Sequence, residues 1–154
     1  MKKIILALLL LSFGLFAGQI KLIDENASDF AYQLPLKKYP KFLCEATLEN
    51  GKTVQFVSVK AMMQVYFHQK YFIKHKFIDS KIKKMYVQDF LSGEKIDAKK
   101  ALYVFGSRVI GPHGDDLVPL KDQESYKVFK IKYKGTKVLP FDRLTVGLIR
   151  YLDM

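Results

Sequence analysis

The stretch Ala101–Leu120, ALYVFGSRVIGPHGDDLVPL, decides how the chain is organised. Ala101-Leu102-Tyr103-Val104-Phe105 is a short continuous apolar run, the pattern of a strand buried on both faces. It breaks at Gly106-Ser107 and runs into a loop carrying Gly111, Pro112, His113, Gly114, Asp115 and Asp116. Apolar residues resume at Leu117-Val118. Glycine and proline between apolar runs specify backbone geometry, and loops so specified present side chains. His113 stands between Pro112 and Gly114, so its backbone is constrained on both sides.

Upstream of this stretch the pattern is a hairpin followed by a helix. In Lys41–Leu48, Phe42, Cys44, Ala46 and Leu48 alternate with Leu43, Glu45 and Thr47, a period of two. Asn50-Gly51 predicts a two-residue type I′ turn, and Thr53–Val57 returns as the second strand. Ser58 is placed to cap a helix. Along that helix Val59, Met62, Met63, Tyr66 and Phe67 follow an i, i+3, i+4, i+7, i+8 spacing, which makes one apolar stripe. The stripe accounts for Met62 and Met63 as core residues. Their thioethers are also soft ligands of the kind Cu(I) prefers. His68 and His75 fall outside the stripe, near lysines, and are expected in solvent.

A second unit follows. Lys84–Leu91 reads as a strand, Ser92-Gly93-Glu94 as a turn and Ala101–Phe105 as the next strand. Asp122 caps a helix to about Tyr133, on which Tyr126, Phe129 and Tyr133 share a face; the alternation in Lys127–Tyr133 also fits a strand. Gly135 is a natural stop. Lys137–Leu139 is a short strand. Asp142 is placed to cap a last helix with Leu144, Leu148, Ile149 and Leu152 on its apolar face. The fold class is therefore α+β, with two ββα-like units in one domain over residues 38–154.

The ends add compartment and charge. Lys2 and Lys3 precede an apolar run from Ile4 to Phe16, and Leu15-Phe16-Ala17 closes it, the plan of a secretory signal peptide over residues 1–17. The run is short for a membrane span. It is either cleaved after Ala17 or Gly18, or kept as an N-terminal anchor. No cysteine lies near this point, so the chain is not processed as a lipoprotein. Residues 18–37 read as a loose lead-in with a polar cluster from Asp24 to Asp29. The formal charge of +11 falls by two without Lys2 and Lys3. In an exported protein such a surface faces an anionic leaflet or an acidic protein rather than nucleic acid. Lys70, Lys74, Lys76, Lys81, Lys83 and Lys84 form the densest basic stretch and the best docking patch. Cys44 is the one cysteine, so there is neither an intramolecular disulfide nor a Cys-x-x-Cys site.

These segments resemble the nitrous oxide reductase accessory protein family, NosL. Tyr103-Val104-Phe105-Gly106-Ser107, Gly111-Pro112-His113-Gly114 and Leu117-Val118-Pro119-Leu120 are similar to that family's Tyr-Val-x-Gly-Ser, Gly-Pro-Met-Gly and Leu-Val-Pro-Phe. Lys38-Tyr39-Pro40-Lys41-Phe42 is similar to its Lys-Tyr-Pro-Lys-Trp, and Ser58-Val59-Lys60-Ala61-Met62-Met63 to its helix opening. The resemblance implies a duplicated ββα fold related to that of organomercurial lyases. It implies a non-enzymatic copper accessory protein of the periplasm, a chaperone in nitrous oxide reductase maturation that works with a protein partner of that system. It places His113 at a copper-site methionine, so His113, with Met63 or Asp115, is the candidate metal set and Cu(I) the candidate cargo. The family's Cys-x-x-Cys-Gly-Met element is replaced. Counted back from Lys38 without gaps, its positions hold Asp29, Phe30, Ala31, Tyr32, Gln33 and Leu34, none of them a sulfur ligand. That replacement supports a second reading, a metal-free paralogue acting as a periplasmic interaction module. No nucleophilic triad and no phosphate-binding glycine loop is readable.

Overall fold

Asn50-Gly51 does reverse the chain, in a different geometry from the one its sequence suggests. The computed structural model describes residues 18–154, so the signal-peptide reading of residues 1–17 lies outside the described residues. Strand β1 (Cys44–Leu48) pairs antiparallel with β2 (Thr53–Phe56). The connection has three residues, Glu49 to Gly51: Leu48 N–H donates to Lys52 O (2.8 Å) and Gly51 N–H to Leu48 O (3.0 Å). Gly51 takes φ +86 while Asn50 stays at negative φ, so this is a type I turn closed by a left-handed glycine rather than type I′. The Asn50 side chain accounts for the change. Its Oδ1 accepts from Lys52 N–H and its Nδ2 donates to Asp79, which binds the turn to a neighbouring loop.

Helix α1 (Val59–Phe67) starts where expected, with Ser58 Oγ accepting from Ala61 N–H at 3.2 Å. It packs on β1 and β2 and is followed by α2 (Gln69–Lys74). The stripe residues Val59, Met62 and Met63 are buried, but so are Lys60, Ala61 and Val65. The first turns of α1 are therefore enclosed on nearly every side, beyond what a single stripe describes.

The expected hairpin between residues 84–91 and 101–105 does not form. Strand β3 (Ile82–Gln88) pairs with β1 instead, Ala46 opposite Met85. Asp89 then turns the chain, accepting from Ser92 N–H and Ser92 Oγ, so that the three-residue strand β4 (Lys95–Asp97) folds back on β3. A strand of that length leaves no periodic signal in sequence. The first sheet runs β2-β1-β3-β4. Strand β5 (Leu102–Phe105) is the centre of a second sheet, between β6 (Val118–Leu120) and β7 (Lys137–Pro140). The second ββα unit is thus β5, β6 and α3 (Gln123–Tyr133), and the α+β class with two such units holds. The chain from Gln123 to Tyr133 is helix, and Asp122 Oδ1 caps it through Ser125 N–H at 2.7 Å. Pro119 sits in β6, an edge strand, where its missing N–H costs no ladder bond.

Strand β5 is enclosed on both faces, as its apolar run predicts. Tyr103 faces the larger core, which holds α1 and the final helix α4 (Val146–Leu152); Val104 faces a smaller one with Val118, Leu120 and Phe129 of α3. Thr145 rather than Asp142 caps α4, accepting from Leu148 N–H. Asp142 lies in a 3-10 turn, Phe141–Arg143, and Leu144 between that turn and α4 is buried in the core from an extended backbone. The lead-in 18–37 is held along the first sheet by two buried glutamines. Gln55 bonds Lys21 O and Ile23 N–H; Gln88 bonds Ile20 N–H and Pro40 O.

Met63→Ala removes a side chain only 1 % exposed in the larger core. It is expected to cost about 2–5 kcal/mol, read as a lower melting temperature by circular dichroism; an unchanged melting temperature would contradict the packing of α1.

Candidate functional site

The loop after β5 is shaped by its own backbone. Gly111 N–H donates to Gly114 O at 2.8 Å, closing a four-residue turn with Pro112 and His113 at its corner. Gly114 takes φ +78, and a side chain on Gly111 would sit 2.7 Å from Asp116 Cβ. Both glycines are thus required by geometry, and together they hold the His113 imidazole half-exposed at the surface.

Three other segments meet this corner. Residues 28–35 form a tight turn in which Asp29, itself buried, accepts from the N–H groups of Ala31 and Tyr32. Burial raises the Asp29 carboxyl above the usual aspartate range, against these backbone donors that pull it down. Gln33 adopts φ +58, an unusual backbone for a residue with a side chain, at the position where the family element has glycine. The turn lays Tyr32 flat on His113, ring centroids 4.1 Å apart and planes within 17°. Tyr32 Oη donates to Asp153 Oδ1 at 2.7 Å, and Gln64 of α1 donates to Asp153 Oδ2 at 2.6 Å. Asp153 follows α4, and its carboxylate lies 3.8 Å from His113 Nδ1.

Lys60 of α1 joins these pieces. Its side chain is fully buried, and an ammonium has three donors. Three oxygens meet them: His113 O at 2.6 Å, Leu152 O at 3.0 Å and Asp153 Oδ1 at 3.1 Å. Nζ also lies 5.3 Å from the centroid of the Tyr32 ring, within cation–π range. Leu152 O is one of the orphan carbonyls at the end of α4, where positive charge is favoured. The other end of the residue is held too, since Lys60 N–H donates to Asp116 Oδ1 at 2.9 Å. One residue therefore fastens the loop twice.

Charge in the cluster follows from these contacts. Partial burial opposes ionisation of Asp153, but hydrogen bonds from Tyr32 and Lys60, the Lys60 charge and Gln64 outweigh it and leave its carboxyl below the usual range. Burial and Asp153 push the Tyr32 hydroxyl far above its ordinary value. Asp116 is 4 % exposed; its Oδ1 also accepts from Leu117 N–H, while Oδ2 has no hydrogen-bond partner. Burial pushes this carboxyl up to about 6, against Ser58, the two backbone donors and Lys60.

Of the candidate metal set, His113 and Asp115 share the exposed loop, whereas Met63 is 1 % exposed within the core. Met62, Met85 and Cys44 are buried as well, and burial raises the Cys44 thiol. Met154, next to Asp153, is the exposed thioether among the described residues, at 98 %. No group of three or more His, Cys, Asp and Glu side chains arranged to hold a metal occurs among the described residues. Tyr32, Lys60, Gln64 and Asp153 were not legible as site residues. Only the ungapped count back from Lys38 marks Tyr32, and the polar second position of a capped helix gives no sign that Lys60 is buried.

Comparison with known proteins places this geometry. A family model described as NosL matches residues 19–149. The crystal structure of the copper chaperone NosL from Shewanella denitrificans is similar at a TM-score of 0.65 and 22% identity, covering 84% of this chain and 97% of that one. The solution structure of the apo-NosL protein from Achromobacter cycloclastes has 22% identity and a TM-score of 0.49, covering 69% of this chain and 87% of that one. No curated protein matches the sequence. At such identity the Shewanella denitrificans structure establishes the fold.

Lys60→Ala strands the Asp153 carboxylate and two carbonyls, and is expected to cost about 3–5 kcal/mol, measured as a lower urea midpoint. A loss below about 1 kcal/mol, the size of an exposed ion pair, would remove Lys60 from its central role. Asp116 supplies a pH signature. Its folded pKa is above the ordinary aspartate value, so between about 4 and about 6 the folded chain holds a proton that the unfolded chain has released. The stability this group contributes is full in acid and is lost as pH rises through about 6. The parent should therefore lose stability relative to Asp116→Asn between these values, by thermal melts across pH; a constant difference would exclude the buried, partly protonated carboxyl.

Proposed function

The chain belongs to the NosL family, and from that premise we propose that it is an exported, non-enzymatic accessory protein that assists copper delivery to, or maturation of, a periplasmic copper enzyme such as nitrous oxide reductase. Export rests on the lysine-led apolar segment of residues 1–17. The observation that carries the copper reading is the placement of His113. The loop exposes the imidazole at the family's methionine position, Tyr32 supports one ring face, and Nδ1 lies toward Asp153. Nε2 is then the nitrogen left for a metal, with the carboxylate orienting the ring from behind. Asp115, two residues on in the loop, and Met154, next to Asp153 in the chain, are exposed donors that the copper reading would draw on. Imidazole and thioether both suit copper, and a site with few ligands open to solvent suits cargo that must be released.

A second reading is favoured by one observation. The oxygens at the heart of the cluster are taken by the Lys60 ammonium, and the remaining sulfurs pack the core. On this reading the loop keeps its shape without a metal, and the protein is an interaction module.

Titration of residues 18–154 with Cu(I) against a chromogenic chelator separates the two. The copper reading expects one equivalent bound, lost in His113→Ala and weakened in Met154→Ala. Failure to compete with even a weak chelator would leave the metal-free module. Binding unaffected by His113→Ala would move the copper site elsewhere.

A further inference from the structure

Between α2 and the start of β3 the surface holds a groove of about 610 Å³ with an aromatic and aliphatic lining, including Tyr66, Phe67, Tyr71 and Ile73. Its shape is fixed rather than incidental. Gln69 at the start of α2 accepts from Ile82 N–H at 2.7 Å, fastening the helix to the strand behind the groove. Tyr71 is 55% exposed on its wall, a large aromatic surface left in water.

The rim of this groove is basic. Lys70 and Lys81 line it. Lys74 shares the helix face of Lys70 by its i, i+4 spacing, and Lys83 lies two residues beyond Lys81 at the start of β3. All four are exposed, and none is in an ion pair among the described residues. The sequence of residues 1–17 contains no acid that could pair with them. Asp79 is the one acid between Gln69 and Lys84, and it is engaged by Lys52 and Asn50. A few lysines elsewhere are held in ion pairs, as with Lys121 and Glu94 or Lys127 and Glu124. The groove thus combines uncompensated positive charge with unfilled apolar surface.

We propose that this groove binds an acidic protein segment that inserts an aromatic or aliphatic side chain between flanking carboxylates. Charge complementarity selects the sign of the partner and speeds its approach. The concave shape selects a peptide over a bilayer, because a flat lipid surface meets the rim and leaves the floor unfilled. The six-residue α2 is also short for a membrane-lying basic helix. The proposal goes beyond the copper reading and does not depend on it, since a carrier and a metal-free module would use such a surface alike.

The test uses a synthetic peptide of glutamates around a central phenylalanine, and its glutamine counterpart, added to isotope-labelled protein. The glutamate peptide is expected to shift amide resonances of residues 66–74 and 81–83, with an affinity that falls steeply with salt. The glutamine peptide should leave them unmoved. The exposed double substitution Lys70→Glu and Lys81→Glu, with circular dichroism confirming the fold, should weaken binding about tenfold or more. Absence of shifts, shifts confined to another face, or equal affinity in the charge-reversed variant would overturn the proposal. So would binding to phosphatidylcholine–phosphatidylglycerol vesicles through these amides without any response to the peptide.

Discussion

A buried ammonium is the constraint on which the rest of this structure turns. Lys60 has no water to solvate it, so its charge must be met by protein oxygens or it could not remain buried. The oxygens come from the loop after β5, from the end of α4 and from the residue that follows it. Segments distant in sequence are drawn to one point because one cation needs them all. Tyr32 covers the assembly with its ring and uses its hydroxyl on the same carboxylate, so the turn at residues 28–35 belongs to the same structural unit.

This arrangement changes what the site offers chemically. The resemblance read from the sequence implies sulfur ligands on the loop and on the upstream element. In this chain the corresponding positions present an imidazole and a phenol ring stacked face to face, backed by a carboxylate. Nitrogen and oxygen donors are borderline to hard, and the buried sulfurs serve packing. The proposed copper role therefore centres on a single exposed imidazole.

The two ends of α1 and α2 divide the labour. The N-terminus of α1 is built into the buried cluster through Ser58, Lys60 and Asp116. At the other end α2 leaves Tyr71, Lys70 and Lys74 facing water. The Lys60 ammonium is buried where three oxygens meet it, and the lysines of α2 stay in water where none does. By the same rule, the first location reads as structure supporting a site and the second as a surface awaiting a partner.

The local elements could be read from the residues alone. The Ser58 and Asp122 caps, the apolar stripe of α1, the doubly buried β5 and the glycine-bounded loop were legible, because capping, periodicity and turn chemistry act over a few residues. The order of the NosL segments was legible for the same reason, and it put His113 on the loop. The rest came from long-range packing. It moved β3 into the first sheet, shaped the Asn50-Gly51 turn through Asp79, and gave the α4 cap to Thr145. It also assembled Tyr32, Lys60, Asp116 and Asp153 around His113. Nothing in its neighbours distinguishes Lys60 from the solvated lysines of this chain. Its burial is decided by oxygens that lie 53 and 92 residues away in sequence, and such long-range pairing leaves no periodic trace for a reader of the sequence to find.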